Sequence, residues 1–144
     1  MDDYKTIVAE WHGDLTFIAE NEAGGRVQMG MLDGKPGISP MELLLAGLAG
    51  CTGVDVAHIL RKKRQALDNL RVKIHAKRAD EHPKVYIEIE IEYLLWGQDL
   101  SDKAVQQAIR LSENKYCSAS AMLGKSAKIT SKYRIFAPDE MIKA

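Results

Sequence analysis

Two thiols are the side chains in this sequence best suited to covalent chemistry. Cys51 lies inside the apolar run SPMELLLAGLAGCTGVDVAHIL, and Cys117 follows 66 positions later in NKYCSASAML. A free cysteine titrates near 8.5, so only about 3% is thiolate at pH 7, and the thiolate is the nucleophile. Something must favour the anion for Cys51 to react. A helix amino terminus does not serve, because Cys51 stands twelve residues past the expected cap at Ser39 and the dipole fades within a turn. Burial alone works against the anion, so a cation or a histidine is needed. On an ideal helix Asp55 and His58 share the Cys51 side at i+4 and i+7. Asp55 is close enough to matter, either holding an incoming arginine or bonding His58. His58 is about 10 Å along the axis, too far for direct proton transfer, and reads as a polar tip at the helix end. Glu42, nine positions before Cys51, points to the opposite side and reads within one chain as a capping residue. Cys117 has Lys115, Tyr116, Ser118 and Ser120 as neighbours, a more polar setting, and is expected to be the more accessible sulfur. Residue types alone leave two readings open: a pair of inert buried thiols, or two cysteines that meet in space and do redox work.

The whole chain narrows the setting. With 144 residues, 46% hydrophobic, it suits one domain spanning 1–144. Twenty basic residues balance twenty acidic ones, so no global field favours nucleic acid or an anionic membrane. The acidic, mixed start MDDYKTIVAEWHGD lacks a signal-peptide pattern, and a cytoplasmic protein is expected. The uncharged apolar stretch Leu43–Val54 is too short to span a bilayer, which takes about 20 apolar residues; it reads as a core helix. Two cysteines in such a chain do not resemble a disulfide scaffold, and their spacing does not resemble a zinc site. Neither a metal, a nucleotide nor a flavin is expected, for want of a ligand cluster or a phosphate-cradling glycine loop.

The elements that must position these residues follow from pattern. Strands are predicted over Tyr4–Trp11 and Leu15–Ala19, around a turn at His12-Gly13-Asp14, with a third near Arg26–Met31. Ser39 as cap, Pro40 at the first helical position and Glu42 three residues after the cap form a capping box. Gly47, Gly50 and Gly53, with Ala46 and Ala49, leave one side of the helix smooth enough for close approach, and Arg61-Lys62-Lys63-Arg64 suits its carboxyl end. RVKIHAK and VYIEIEIEY read as a strand pair joined through Asp80–Pro83. That loop places Arg71 opposite Glu92, Lys73 opposite Glu90 and His75 opposite Glu88, on a solvated face. A second helix opens at Leu100-Ser101-Asp102, with Val105, Ala108, Ile109 and Ser112 on one side. A short helical piece runs from Cys117 to Leu123 and stops at Gly124, and Lys128–Phe136 alternates as a last strand. This order makes the fold α+β with a mainly antiparallel sheet.

SPMELLLAGLAGCTGVDV and, after it, LSENKYCSASAML together resemble the OsmC/Ohr family of osmotically induced and organic hydroperoxide resistance proteins, over about Leu15–Thr130. The likeness is greatest to the uncharacterised OsmC-like branch with SPMEL and CxxxDV forms. It implies an intertwined homodimer in which long central helices are wrapped by sheets from both chains, with the two cysteines together near the interface. It also implies that Cys51 attacks the peroxide, that Cys117 resolves the sulfenic acid as a disulfide, and that a dithiol reductant resets the pair. The peroxidases of the family hold the attacking thiolate with an arginine from a glycine-arginine turn and a glutamate just after the helix-starting proline. Here Met41 follows Pro40, Glu42 comes one step later, and the turn Trp11-His12-Gly13-Asp14 has no arginine; Arg26 does not match it. Glu42 takes the glutamate role on this resemblance. Organic hydroperoxides are the expected substrates, with Leu44, Leu48 and Met41 lining an apolar pocket. The alternative is a noncatalytic dimer that binds a small hydrophobic ligand or senses redox state. Acyl transfer through Cys51 would need a base within reach, and none is evident.

Overall fold

His12-Gly13-Asp14 reverses the chain as its composition predicts: Gly13 and Asp14 both take positive φ, 93° and 46°, conformations that glycine and aspartate tolerate best. On either side lie β1 (Ile7–Trp11) and β2 (Phe17–Asn21), and β3 (Arg26–Met29) adds to β2, giving an antiparallel sheet of order β1-β2-β3. Leu15 falls in the turn, not in a strand. Glu20 faces Arg26 across β2 and β3, and their side chains pair at 3.3 Å. A two-strand ribbon, β4 (Met31–Leu32) with β5 (Lys35–Pro36), follows around Asp33 and Gly34. The computed structural model describes residues 3–142. Its contacts divide the chain into two compact units, one ending at Leu44 and the other beginning at Leu45.

The helix α1 spans Pro40–Lys62, and its start is the predicted capping box. The Ser39 N–H donates to Glu42 Oε1 at 2.9 Å, and the Glu42 N–H donates to Ser39 Oγ at 3.2 Å. Only Leu48, Thr52, Val56 and Leu60 are buried along it, a single stripe at i+4 steps. α1 is therefore not the enclosed core helix its apolar composition suggests. It is long and apolar enough to cross a bilayer, yet 22% of its apolar window is buried within the chain. A Cβ at Gly47 or Gly50 would meet nothing within 4 Å, while one at Gly53 would touch Val72 at 3.4 Å.

The larger sheet is built from β6 (Ala66–Arg78), β7 (Tyr86–Gln98) and β8 (Lys128–Phe136), in that order. β6 and β7 are antiparallel, with Lys73 opposite Glu92, His75 opposite Glu90 and Lys77 opposite Glu88. This register is shifted by two residues from the one a four-residue loop implies. The connection runs over 79–85, closed by Ala79 N–H to the Val85 carbonyl, and an irregularity sits at Lys77/Arg78. A shift of two keeps every side chain on its face, so the basic-opposite-acidic pattern survives. β8 joins β7 in parallel, the one departure from an antiparallel arrangement, because the helical segments after β7 carry the chain back to the start of the sheet. β7 thus offers Glu90 and Glu92 between two basic strands, and Lys132 and Arg134 of β8 reach them at 3.3–3.9 Å.

Ile89, Ile91, Tyr93 and Leu95 of β7 are buried with the α1 stripe. Val105, Ala108 and Ile109 of α2 (Asp102–Leu111), capped by Ser101, join them. On the other face Leu94, Trp96 and Phe136 form a second cluster, with Trp96 stacked on Phe136 at 5.0 Å and its Nε1 donating to the Glu140 carbonyl.

Candidate functional site

α2 does not end where its hydrogen bonds first run out. It continues as a π-helical segment, Ser112–Tyr116, and then as α3 (Ser118–Leu123). π segments insert a residue into a helix and recur at functional sites. Here the segment closes with the Cys117 N–H on the Ser112 carbonyl at 2.7 Å and leaves Cys117 extended, as the cap of α3. Its sulfur accepts the Ser120 N–H at 3.3 Å. The Ser120 hydroxyl is buried beside that sulfur without a formed hydrogen bond of its own.

Cys51 is close enough to influence the Cys117 thiol, and neither cysteine is in a disulfide. Their exposure reverses the expectation from local composition. Cys117 is only 3% exposed, whereas Cys51 is half-buried. Polar neighbours in sequence do not expose Cys117, because the π segment turns Lys115 and Tyr116 outward and the sulfur inward. Burial is the largest influence on the Cys117 thiol and pushes its pKa up. The Ser120 hydroxyl and N–H pull it back, and the neighbouring Cys51 raises it further.

Asp55 reaches neither His58 nor an arginine. It accepts the Ser112 hydroxyl at 2.9 Å. That contact begins a polar chain that no local sequence pattern marks. Ser112 Oγ lies 2.8 Å from Thr52 Oγ1, Thr52 Oγ1 lies 2.7 Å from the Tyr93 hydroxyl, and Tyr93 donates to Glu113 Oε2 at 2.6 Å. Ser131 donates to the other Glu113 oxygen at 3.0 Å. Thr52, Ser112 and Tyr93 are fully buried. The Tyr93 phenol is held well above its ordinary pKa, first by burial and then by the hydrogen bond to Glu113. The available signal was positional: Thr52 stands at a core step of α1, and Ser112 on the apolar side of α2.

His58 is exposed and, with Asp55, Ile59, Lys62, Leu111 and Tyr116, lines a cavity of about 440 Å³. Of the residues expected to line an apolar pocket, Leu48 is wholly buried, Met41 is half-buried and Leu44 stands 47% exposed. Glu42 is an exposed capping carboxylate whose pKa is lowered, chiefly by the Ser39 N–H and then by the Ser39 hydroxyl. Arg26 is engaged with Glu20 in its own sheet. Among the described residues no group of three or more His, Cys, Asp or Glu could hold a metal ion.

Comparison with known proteins agrees with this architecture. Residues 32–132 match the OsmC-like protein family. The chain is 38% identical over 128 residues to Protein YhfA of Escherichia coli K12, covering 89% of this chain and 96% of that one. A hypothetical protein from Aquifex aeolicus has a solved structure 38% identical, covering 93% and 98% of the two chains at a TM-score of 0.79. The organic hydroperoxide resistance protein OhrB of Bacillus subtilis covers 91% and 98% at 0.62, with 17% identity, a likeness of fold alone. The chain belongs to the OsmC-like family.

Proposed function

We propose that this chain is a cytoplasmic thiol peroxidase, one OsmC-like domain acting as a homodimer, that reduces organic hydroperoxides. The observation that supports the reading is that Cys51 lies near enough to Cys117 to influence its thiol. The half-buried Cys51 is the sulfur a peroxide reaches. Its thiolate attacks the outer peroxide oxygen, the O–O bond breaks, and the alkoxide takes a proton to leave as an alcohol. Cys51 is then a sulfenic acid. Cys117 displaces its hydroxyl as water, forming the disulfide, and a dithiol reduces that bond and is itself oxidised. A buried resolving thiol suits this order, because it is kept from the peroxide and stays neutral until the sulfenic acid forms beside it.

Dimerisation is supported by the apolar face of α1, which one chain leaves largely open, with glycines at 47 and 50 that let a second helix approach. A second copy covering that face gives this apolar helix an occupant other than lipid. Glu42, turned from Cys51 along its own helix, is assigned to the active site of the second copy, where it arrives ionised. The name of the Bacillus OhrB supports hydroperoxides as the substrate class.

The test is consumption of cumene hydroperoxide with dithiothreitol as reductant. Wild type turns over, Cys51→Ser does not, and Cys117→Ser stops at a sulfenic acid that dimedone traps. Absence of turnover with dithiothreitol and with other dithiols would reject the enzyme and leave a noncatalytic dimer.

A further inference from the structure

Counting hydrogens in the buried chain from Asp55 to Glu113 exposes a deficit. Four oxygen–oxygen contacts of 2.9, 2.8, 2.7 and 2.6 Å join Asp55, Ser112, Thr52, Tyr93 and Glu113 in that order. All are hydrogen-bond lengths, and each needs one hydrogen. The three hydroxyls bring one each, and an ionised carboxylate brings none. Ser112 gives its hydrogen to Asp55, and Tyr93 gives its own to Glu113. Thr52, between them, then faces two oxygens with a single hydrogen. Ser131 does not relieve the shortage, since it serves the other oxygen of Glu113. A contact between two bare oxygens is costly where water is excluded, and the three hydroxyl residues are fully buried.

We propose that Asp55 and Glu113 hold one proton between them and that the three hydroxyls relay it from one to the other. With the proton on Asp55, each group donates toward Glu113. With it on Glu113, every hydroxyl turns and donates toward Asp55. Both states fill all four contacts, and passage between them shifts the hydrogen within each contact from one oxygen to the other, a net transfer of one proton with no movement of heavy atoms. Burial and Glu113 keep Tyr93 in its phenol form, with a hydrogen to give.

The two ends open to different surroundings. Asp55 lines the cavity of about 440 Å³ with His58, Lys62, Lys63 and Tyr116. Glu113 lines another of about 410 Å³ with Arg110, Lys132 and Tyr133. Cys51 stands one helical turn before Asp55, and Cys117 follows Tyr116. The chain therefore links two solvent-facing cavities through the interior, with its Asp55 end one helical turn along α1 from Cys51. On the peroxidase reading this end supplies the proton that the alkoxide takes up; the proton count itself does not rest on that reading.

Infrared spectra of the reduced full-length protein at neutral pH, in H2O and in D2O, test the proposal. Wild type is expected to show the carbonyl stretch of one protonated carboxyl per chain, shifted by deuteration. Asp55→Asn and Glu113→Gln each lose the band completely, because the amide brings the missing hydrogen. Tyr93→Phe loses it as well while keeping both carboxyls, since two hydroxyl hydrogens then serve two contacts. Glu42→Gln keeps it. A wild-type spectrum without the band, or a band that survives in Tyr93→Phe, overturns the proposal, and the wild-type measurement decides even where a variant does not fold. The band in a protein that turns over no peroxide would retain the relay and reject the enzyme.

Discussion

Oxidation of the two thiols should stabilise this protein measurably. A bond from Cys51 to Cys117 closes a loop across 66 positions. Restriction of the unfolded chain by a loop of that length is worth about 4 kcal/mol at 25 °C in the chain-entropy treatment. Native strain subtracts from this figure. Cys51 is fixed in the middle of α1, and Cys117 is held by the Ser112 carbonyl and the Ser120 N–H. With strain set against the chain-entropy term, a gain of about 2–4 kcal/mol is expected. Closure should also quicken as pH rises through the ordinary thiol range and beyond, since burial holds Cys117 in its neutral form. The assay treats reduced protein with one equivalent of cumene hydroperoxide, then counts free thiols, weighs the chain and compares urea unfolding of both forms at one protomer concentration. The expected result is loss of both thiols, a mass lower by two hydrogens and a higher midpoint. Two thiols remaining, a disulfide only between chains, or an oxidised form less stable than the reduced one would refute the reasoning.

Tyr93 should stay silent in an alkaline absorbance titration until the protein unfolds, because its pKa is raised by burial. A group raised on folding adds stability below its unfolded value, about 10 for tyrosine, and that stability is lost as pH climbs above it; Tyr93→Phe should flatten this alkaline decline in urea unfolding. Gly50→Ala adds a Cβ that meets nothing in its own chain, so on an uncovered helix it would stabilise by about 0.5–1 kcal/mol. On the proposed dimer seam it weakens association instead, and sedimentation equilibrium distinguishes the two. Gly97→Ala drives a Cβ into the Ala66 carbonyl oxygen and to 2.8 Å from Leu100 Cγ, so a loss of about 1–3 kcal/mol is expected in thermal unfolding.

Much of the fold was legible because local signals are strong where one residue type has one use. Ser39, Pro40 and Glu42 define a helix start that the structure reproduces bond for bond. Lys128–Phe136 was bounded to the residue by its alternation. The register of β6 on β7 was not legible, since it depends on how the 79–85 connection closes, and charge alternation is unchanged by a slip of two. Nor was the parallel seating of β8, which is decided by where the helices after β7 return the chain. At the site, the pairing of Cys51 with Cys117 is implied by resemblance and not by spacing. The exposure of the two sulfurs was read the wrong way round because a π segment cannot be seen in ENKYC. Asp55 reads from sequence as holding an incoming arginine or bonding His58, whereas its partner Ser112 lies 57 residues away, beyond any local rule.

Thr52 explains how so smooth a helix can hold Cys51 on the side that faces Cys117. The buried stripe of α1 reads Leu48, Thr52, Val56, Leu60, and valine would fill the second position with the same shape. Apolar contacts alone hold such a helix loosely about its axis, because neighbouring Ala49, Gly50 and Gly53 offer little relief to catch on. A rotation by one residue, 100°, would carry Cys51 away from Cys117. The Thr52 hydroxyl prevents it, since it must lie within 2.8 Å of both Ser112 and Tyr93, on two different elements, and only one angle of the helix satisfies both. A polar core group used in this way fixes register more than it adds stability. Thr52→Val should then cost only about 1–3 kcal/mol, two net hydrogen bonds, while disulfide closure after oxidation slows by a larger factor than that loss of stability produces in Ile→Val variants elsewhere in the core. Equal slowing in both kinds of variant would mean that packing, and not the hydroxyl, sets the angle.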